Sequence, residues 1–140
     1  MIIGLGTDLC DARRIEATLK RHGDRFTARI CTDRERQRAD RRQNRASAYA
    51  LLFAAKEACA KALGTGFRQG VFWRDMEVRN RPSGRPYLNL TGGAYKRLTE
   101  ITPPGFAPMV EISMTDEFPL AQSIVIVQAL DPTLAASRID

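Results

Sequence analysis

The chain has 140 residues, 44% of them hydrophobic, and a formal charge of +6; this suits one globular domain with a modest core and excludes a largely disordered polymer. No apolar run approaches the length of a membrane span, so a membrane partner is not expected. The three cysteines, Cys10, Cys31 and Cys59, are odd in number, lack paired spacing and follow no leader-like segment, so they read as reduced thiols of a cytoplasmic protein.

In chain order, Met1 to Gly6 reads as a short strand, buried because its apolar residues run without alternation. Asp8 follows directly. Asp11 is placed to cap a helix that turns Ala12, Ile15 and Leu19 inward and closes near Gly23. Phe26 and Ile30 mark a second short helix, and Thr32 caps a third. From Arg29 to Arg45 there are seven Arg against Asp33, Glu35 and Asp40, so most of the positive excess lies here. Such a patch fits an acidic protein surface, an anionic nucleotide or a nucleic acid. Taken alone it is better read as a solvated helix face of mixed sign. A nucleic-acid partner is not expected, because there is no aromatic stacking platform and no recognised binding motif.

Between Ala46 and Leu63 there is no Gly or Pro and Ala is frequent, which predicts a long helix ended by a left-handed Gly64. Glu57 and Lys61 stand four apart and share a face, with Phe53 on the same side. Leu52, Cys59 and Leu63 line a neighbouring apolar stripe suited to a core. On a solvated surface such an ion pair contributes about 0.2–0.5 kcal/mol and means little. On the inner side of a buried helix the same two charges are costly unless they have partners, and they mark a site. Lys56 points elsewhere and reads as a surface or rim charge.

Phe67 to Phe72 is a turn-rich connection. Asp75 to Arg79 alternates as a strand with Met76 and Val78 on one face, and Arg81-Pro82-Ser83-Gly84-Arg85-Pro86 turns it into a hairpin with Tyr87–Leu90. Thr91 is placed to cap a helix holding Ala94, Tyr95 and Leu98. Pro103-Pro104-Gly105 breaks the chain before a strand near Met109–Ser113, and Asp116 to Pro119 turns back into Ser123–Leu130. That last strand is apolar on both faces at Ile124, Val125, Ile126 and Val127. One face can cover the chain's own core; the other needs either the Ala-rich helix or a partner's sheet. Helices mixed with hairpin-type strands give an α+β fold, with one domain over residues 1–130 and a loose tail over 131–140.

Two stretches carry a family resemblance. Phe53-Ala-Ala-Lys-Glu-Ala-Cys-Ala-Lys-Ala-Leu-Gly-Thr-Gly66 resembles the signature of the holo-[acyl-carrier-protein] synthases, the short phosphopantetheinyl transferases. Ile3-Gly-Leu-Gly-Thr-Asp-Leu9, followed by Arg13-Arg14-Ile15-Glu16, resembles the first motif of the same family. The match runs from Met1 to about Leu130, and the helix motif is long enough to be specific. The resemblance implies a long central helix packed on a mainly antiparallel sheet. It also implies transfer of the phosphopantetheine arm of coenzyme A to a serine of apo acyl carrier protein, with release of adenosine 3′,5′-bisphosphate, in fatty acid biosynthesis and lipid metabolism.

Carried onto this chain, the resemblance makes Asp8 and Glu57 ligands of Mg²⁺, an ion that takes one or two carboxylates and keeps water and phosphate in its other positions. Without the motif, Asp8 reads equally well as a turn residue at a strand end. Lys61 becomes the cation that stabilises the leaving phosphate, and Glu57 is also a candidate to activate the serine hydroxyl. Coenzyme A contacts are expected at Arg45, Phe53, Lys61, Gly64, Gly66, Gly84, Arg85 and Pro86, and carrier-protein docking at Arg14, joined by Arg13. Gly64-Thr65-Gly66 is not a phosphate loop, since it follows a helix C-terminus with its carbonyls exposed; it reads as a cap with room beside it. Gly84-Arg85-Pro86 resembles the family's Gly-Lys-Pro turn, which lies against the cofactor. The resemblance further implies a homotrimer with active sites between neighbouring subunits.

Two departures stand out. The family's Arg before the Phe of the helix motif is Leu52 here, with Arg45 a candidate replacement. The two His of a later family motif are Met109 and Met114, and the one His of the chain, His22, sits in a loop-like Arg-His-Gly-Asp stretch. A degenerate, non-catalytic member of the family is the alternative these departures raise.

Overall fold

A computed structural model of the chain describes residues 1–136. Five strands and six helices follow in the order β1 (Ile2–Asp11), α1 (Ala12–His22), α2 (Asp24–Ile30), α3 (Asp33–Asp40), α4 (Arg45–Ala62), β2 (Met76–Asn80), β3 (Pro86–Leu90), α5 (Gly92–Ile101), β4 (Ala107–Glu117), β5 (Leu120–Leu130) and α6 (Pro132–Ala136). β1, β5 and β4 form one antiparallel sheet in that spatial order, and β2 and β3 form a separate hairpin.

The helix ends follow from local chemistry. Asp11 Oδ1 accepts from Arg13 N at 2.9 Å and starts α1. At α3, Glu35 N donates to Thr32 Oγ1 while Thr32 N donates to Glu35 Oε1, a reciprocal box that satisfies two free donors. Asn44 Oδ1 accepts from Ser47 N and starts α4. Its other end closes with Leu63 N donating to Cys59 O and Gly66 N to Ala60 O, with Gly64 at φ +78°.

What sets the architecture is how closely α4 lies on the sheet. Its inward side is built from Ala54, Ala55, Ala58, Cys59 and Ala62, all buried. The facing strand offers Gly4 and Gly6. A Cβ on Gly6 would sit 1.9 Å from the carbonyl oxygen of Ala58, and one on Gly4 would sit 2.2 Å from that of Ala62. Only glycine lets the helix backbone press onto the strand there. Toward its C-terminal end α4 joins α5, the β2–β3 hairpin, β4 and β5 in one apolar cluster, and toward its start it joins α1, α2 and α3 in another.

Several expectations are corrected. β1 does not end at Gly6 but runs through Asp8 to Asp11, because its backbone pairs with β5 along the whole length. Nor is it buried on both sides: Leu5 is 64% exposed and Leu9 59%, and beside them Ile124 is 40% exposed. α4 covers the face carrying Val125 and Val127 and leaves the opposite face open. Tyr95 turns outward, since α5 buries only the narrow stripe of Ala94 and Leu98, and Thr91 makes no side-chain cap. His22 is the exposed last residue of α1 rather than part of a loop. Within the segment expected to be a loose tail, Pro132–Ala136 is helical and Asp131 Oδ1 accepts from Thr133 N at 2.9 Å; the tail's remaining residues, 137–140, lie outside those described. Among the described residues no helix is long and apolar enough to cross a membrane.

Candidate active site

Alternation along β1 places Gly4, Gly6, Asp8 and Cys10 on the face toward α4. The glycines bring the helix down onto the strand, and Asp8 therefore lies beneath its last turns. Lys61 reaches back across this gap: its Nζ donates to Thr7 O at 2.9 Å and to Asp8 Oδ1 at 3.3 Å. The ammonium end stays accessible, with the Lys61 side chain 51% exposed against 17% for Asp8. Glu57 lies one turn before Lys61 and feels the same neighbours. Partial burial pushes its pKa up first, the Asp8 carboxylate pushes it further, and Lys61 opposes both. Cys10, two residues on from Asp8, has its thiol pushed up to about 11, by burial first and then by the Asp8 charge.

The fold thus brings together the three residues Asp8, Glu57 and Lys61. The donor set suits a hard divalent cation, since both anionic groups are carboxylates. One of them carries an unmet need: Asp8 Oδ2 is buried and has no hydrogen-bond partner. No group of three or more His, Cys, Asp or Glu side chains converges anywhere among the described residues. A cation held here by two carboxylates keeps positions for water and for a phosphate.

Phe53 belongs to a row of aromatic rings. Phe26 lies 6.5 Å from it, Trp73 lies 5.0 Å on the other side, and Trp73 stacks on Phe67 at 3.8 Å. Trp73 and Phe67 were not among the residues singled out from the sequence; the only signal was two aromatics in an otherwise turn-rich connection. Lys56 overturns its sequence reading. It is fully buried, its Nζ donating to Glu35 Oε1 at 2.6 Å and to Trp73 O at 3.1 Å, while Glu35 Oε2 accepts from Val78 N at 2.9 Å. At this level α4 is enclosed by α3, β2 and the Trp73 turn, which leaves Lys56 no solvent side.

The remaining expected contacts are spread over the chain. Gly64 is exposed at the helix end and Gly66 faces open space. Arg85 Nη2 donates to Glu111 Oε2 at 2.6 Å from a turn in which Gly84 has φ +91°. Pro86 lines a cavity of about 490 Å³ together with Leu52, Met114, Ser47, Arg38 and Arg42. Two of the departures from the family pattern, Leu52 and Met114, therefore meet in one cavity that Asp8, Glu57 and Lys61 do not line. Arg45 is not drawn to the site within one chain. It lies about 18 Å up α4 from Glu57 at roughly 1.5 Å per residue, its Nε donating to Asp40 Oδ1 at 2.7 Å and its guanidinium over the Tyr49 ring. Arg13 is held by Asp11 at 2.7 Å and keeps that carboxyl down to about 2, whereas Arg14 beside it is exposed. Both lie in the first turn of α1, just past the end of the strand that carries Asp8.

Comparison with known proteins identifies the family. The family model of the 4′-phosphopantetheinyl transferase superfamily matches residues 4–113. The holo-[acyl-carrier-protein] synthase of Methylobacterium nodulans is 63% identical over 130 residues, 93% of this chain and 98% of that protein. That of Methylobacterium radiotolerans is 61% identical over 135 residues, 96% of this chain and 99% of that protein. Among solved structures, the holo-[acyl-carrier-protein] synthase of Neisseria meningitidis superposes with a TM-score of 0.81 at 34% identity, over 91% of this chain and 99% of its own. The Bacillus anthracis synthase, solved in complex with CoA (3′,5′-ADP), gives 0.73 at 32% identity over 94% and 99%. The chain belongs to the 4′-phosphopantetheinyl transferase superfamily and, within it, to the holo-[acyl-carrier-protein] synthases, which makes it an enzyme that transfers phosphopantetheine to apo acyl carrier protein.

Proposed function

We propose that Asp8, Glu57 and Lys61 form the centre of this transfer, that coenzyme A is the donor, and that Asp8 and Glu57 hold Mg²⁺. The observation that carries the assignment is the meeting of Asp8 with the Glu57–Lys61 pair under α4, two carboxylates and an ammonium drawn to one place. The donor is supported by the coenzyme A ligand of the Bacillus anthracis relative. In the overall reaction the carrier serine oxygen bonds to the β-phosphorus of coenzyme A. The bond from that phosphorus to the bridging oxygen breaks, and adenosine 3′,5′-bisphosphate leaves. A bound Mg²⁺ supplies charge neutralisation for the pyrophosphate.

The chain's own residues supply the rest. Lys61, half exposed on the same face, stabilises the phosphate that departs and can give it a proton. Glu57, one turn before Lys61 and close to Asp8, is placed to take up the proton that the serine loses. Arg14, with Arg13 beside it, offers a basic surface at the start of α1 for an acidic carrier protein. The open sheet face around Leu5, Leu9 and Ile124 supports a homotrimer. The buried, unpaired thiols fit a cytoplasmic enzyme of fatty acid biosynthesis.

The test is release of adenosine 3′,5′-bisphosphate from coenzyme A and apo carrier protein as magnesium is varied. Asp8→Ala and Glu57→Ala should each lower turnover on the order of 100-fold while circular dichroism stays that of the folded protein. Full activity of either variant at low magnesium would overturn the ligand assignment.

A further inference from the structure

Ser123 lies directly opposite Asp8 in the β1–β5 ladder, on the face covered by α4. Its neighbours on that face of β5 are Ala121, Val125, Val127 and Ala129, all buried, and Ser123 itself is 1% exposed. An alanine would continue this apolar pattern without leaving a polar atom behind. The serine hydroxyl instead has no hydrogen-bond partner, and neither does one oxygen of the residue paired with it, Asp8 Oδ2. Among the described residues the third such atom is Arg36 Nε, on α3. Two of the three thus belong to one cross-strand pair.

Buried polar atoms are almost always paired, so an orphaned donor and an orphaned acceptor on directly paired residues ask for an explanation. Directly opposed Cβ atoms in an antiparallel pair stand about 4.5–5.5 Å apart, within reach of a serine hydroxyl and a carboxylate. A turn of the Ser123 side chain from one staggered position to another is enough to redirect its hydroxyl. Asp8 has a reason to shift as well. Its Oδ1 is engaged by Lys61, and a cation would take that oxygen over.

We propose that Ser123 is a positioning residue for Asp8: when a divalent cation occupies the site, the Ser123 hydroxyl donates to Asp8 Oδ2 and fixes the carboxylate toward the ion. The inference rests on the reading of Asp8 as a cation ligand. Ligating carboxylates are regularly held by such a second hydrogen bond, and losing it weakens metal binding by about 10- to 100-fold. In the loaded site this bond satisfies both atoms at once.

The experiment compares the full-length protein with Ser123→Ala and Asp8→Asn, using Mn²⁺ as a paramagnetic probe and thermal unfolding without metal. Ser123→Ala should weaken Mn²⁺ binding about tenfold and leave the metal-free Tm unchanged or raised, since it removes an unsatisfied buried hydroxyl. Wild-type Mn²⁺ affinity in Ser123→Ala, with affinity lost in Asp8→Asn, would overturn the inference and leave the cation reading standing. Wild-type affinity in both would sink the cation reading and this inference with it. A metal-free Tm that drops in step with the affinity would assign Ser123 to packing, which also overturns it.

Discussion

Glu57 sits partly out of water beside a second carboxylate, and both conditions favour its protonated form. The folded chain therefore binds this proton more tightly than the unfolded chain does. Stability from this group is present at low pH and is lost as pH rises from the ordinary glutamate range through the raised value. At neutral pH the charged carboxylate is a burden that only a cation relieves. Glu57→Gln should accordingly raise the metal-free Tm at neutral pH, and the gain should vanish below the ordinary glutamate pKa, where both states are protonated. Added Mg²⁺ should stabilise the wild type and not the variant; identical melting of the two at neutral pH, without metal, would contradict this. Glu57 and Lys61 were legible in the sequence because a long motif and four-residue spacing name them together, and Asp8 because a second, opening motif holds it. Ser123 and Lys56 were not. What each does depends on the residue facing it, Asp8 in one case and Glu35 in the other, and those partners are distant in the chain.

At the scale of elements, the contact of α4 with β1 decides whether Asp8 and Glu57 meet at all. Gly6→Ala would put a Cβ within 1.9 Å of a helix carbonyl, backbone against backbone, so the helix must lift. Overpacking of this kind costs about 1–3 kcal/mol or more, and a lower urea midpoint together with weakened cation binding is the expected result. An unchanged midpoint would mean that the helix accommodates the methyl. Helix limits were readable where Asp11, Thr32 and Gly64 carry the capping chemistry in their own side chains or backbone freedom. Strand limits were not. β1 was cut short where Thr7 and Asp8 interrupt its apolar run, yet the ladder to β5 uses backbone groups and continues past them. The same limit explains Tyr95, whose helical spacing fits a core face that the rest of the fold does not extend to.

For the whole molecule, the question is what covers the sheet. α4 shields one side, and the other presents Leu5, Leu9, Leu120 and Ile124 to solvent. The unbroken apolar run from Ile124 to Val127 already shows two apolar faces in the sequence; which one the helix takes is a matter of tertiary packing. A patch of this kind is what a second copy of the chain buries, and three copies closing a ring leave no open side. Ile124→Glu should therefore shift the protein to smaller species in sedimentation and reduce activity along with assembly, because it would place a charge in the proposed joint without touching Asp8, Glu57 or Lys61. A wild type that sediments as a fully active monomer would refute the homotrimer.

Trp73 is the single tryptophan of the chain, and its surroundings turn it into a built-in optical gauge. Its ring is stacked on Phe67 and lies beside Phe53, and its carbonyl accepts from the buried Lys56. Phe53 and Lys56 both stand on α4 within a turn or so of Glu57. Any movement of that helix segment, or any guest settling against the aromatic row, changes the polarity around one indole and nothing else that emits in its band. The intrinsic fluorescence of the unlabelled protein thereby follows events at α4, and a dye would only perturb what this residue already reports.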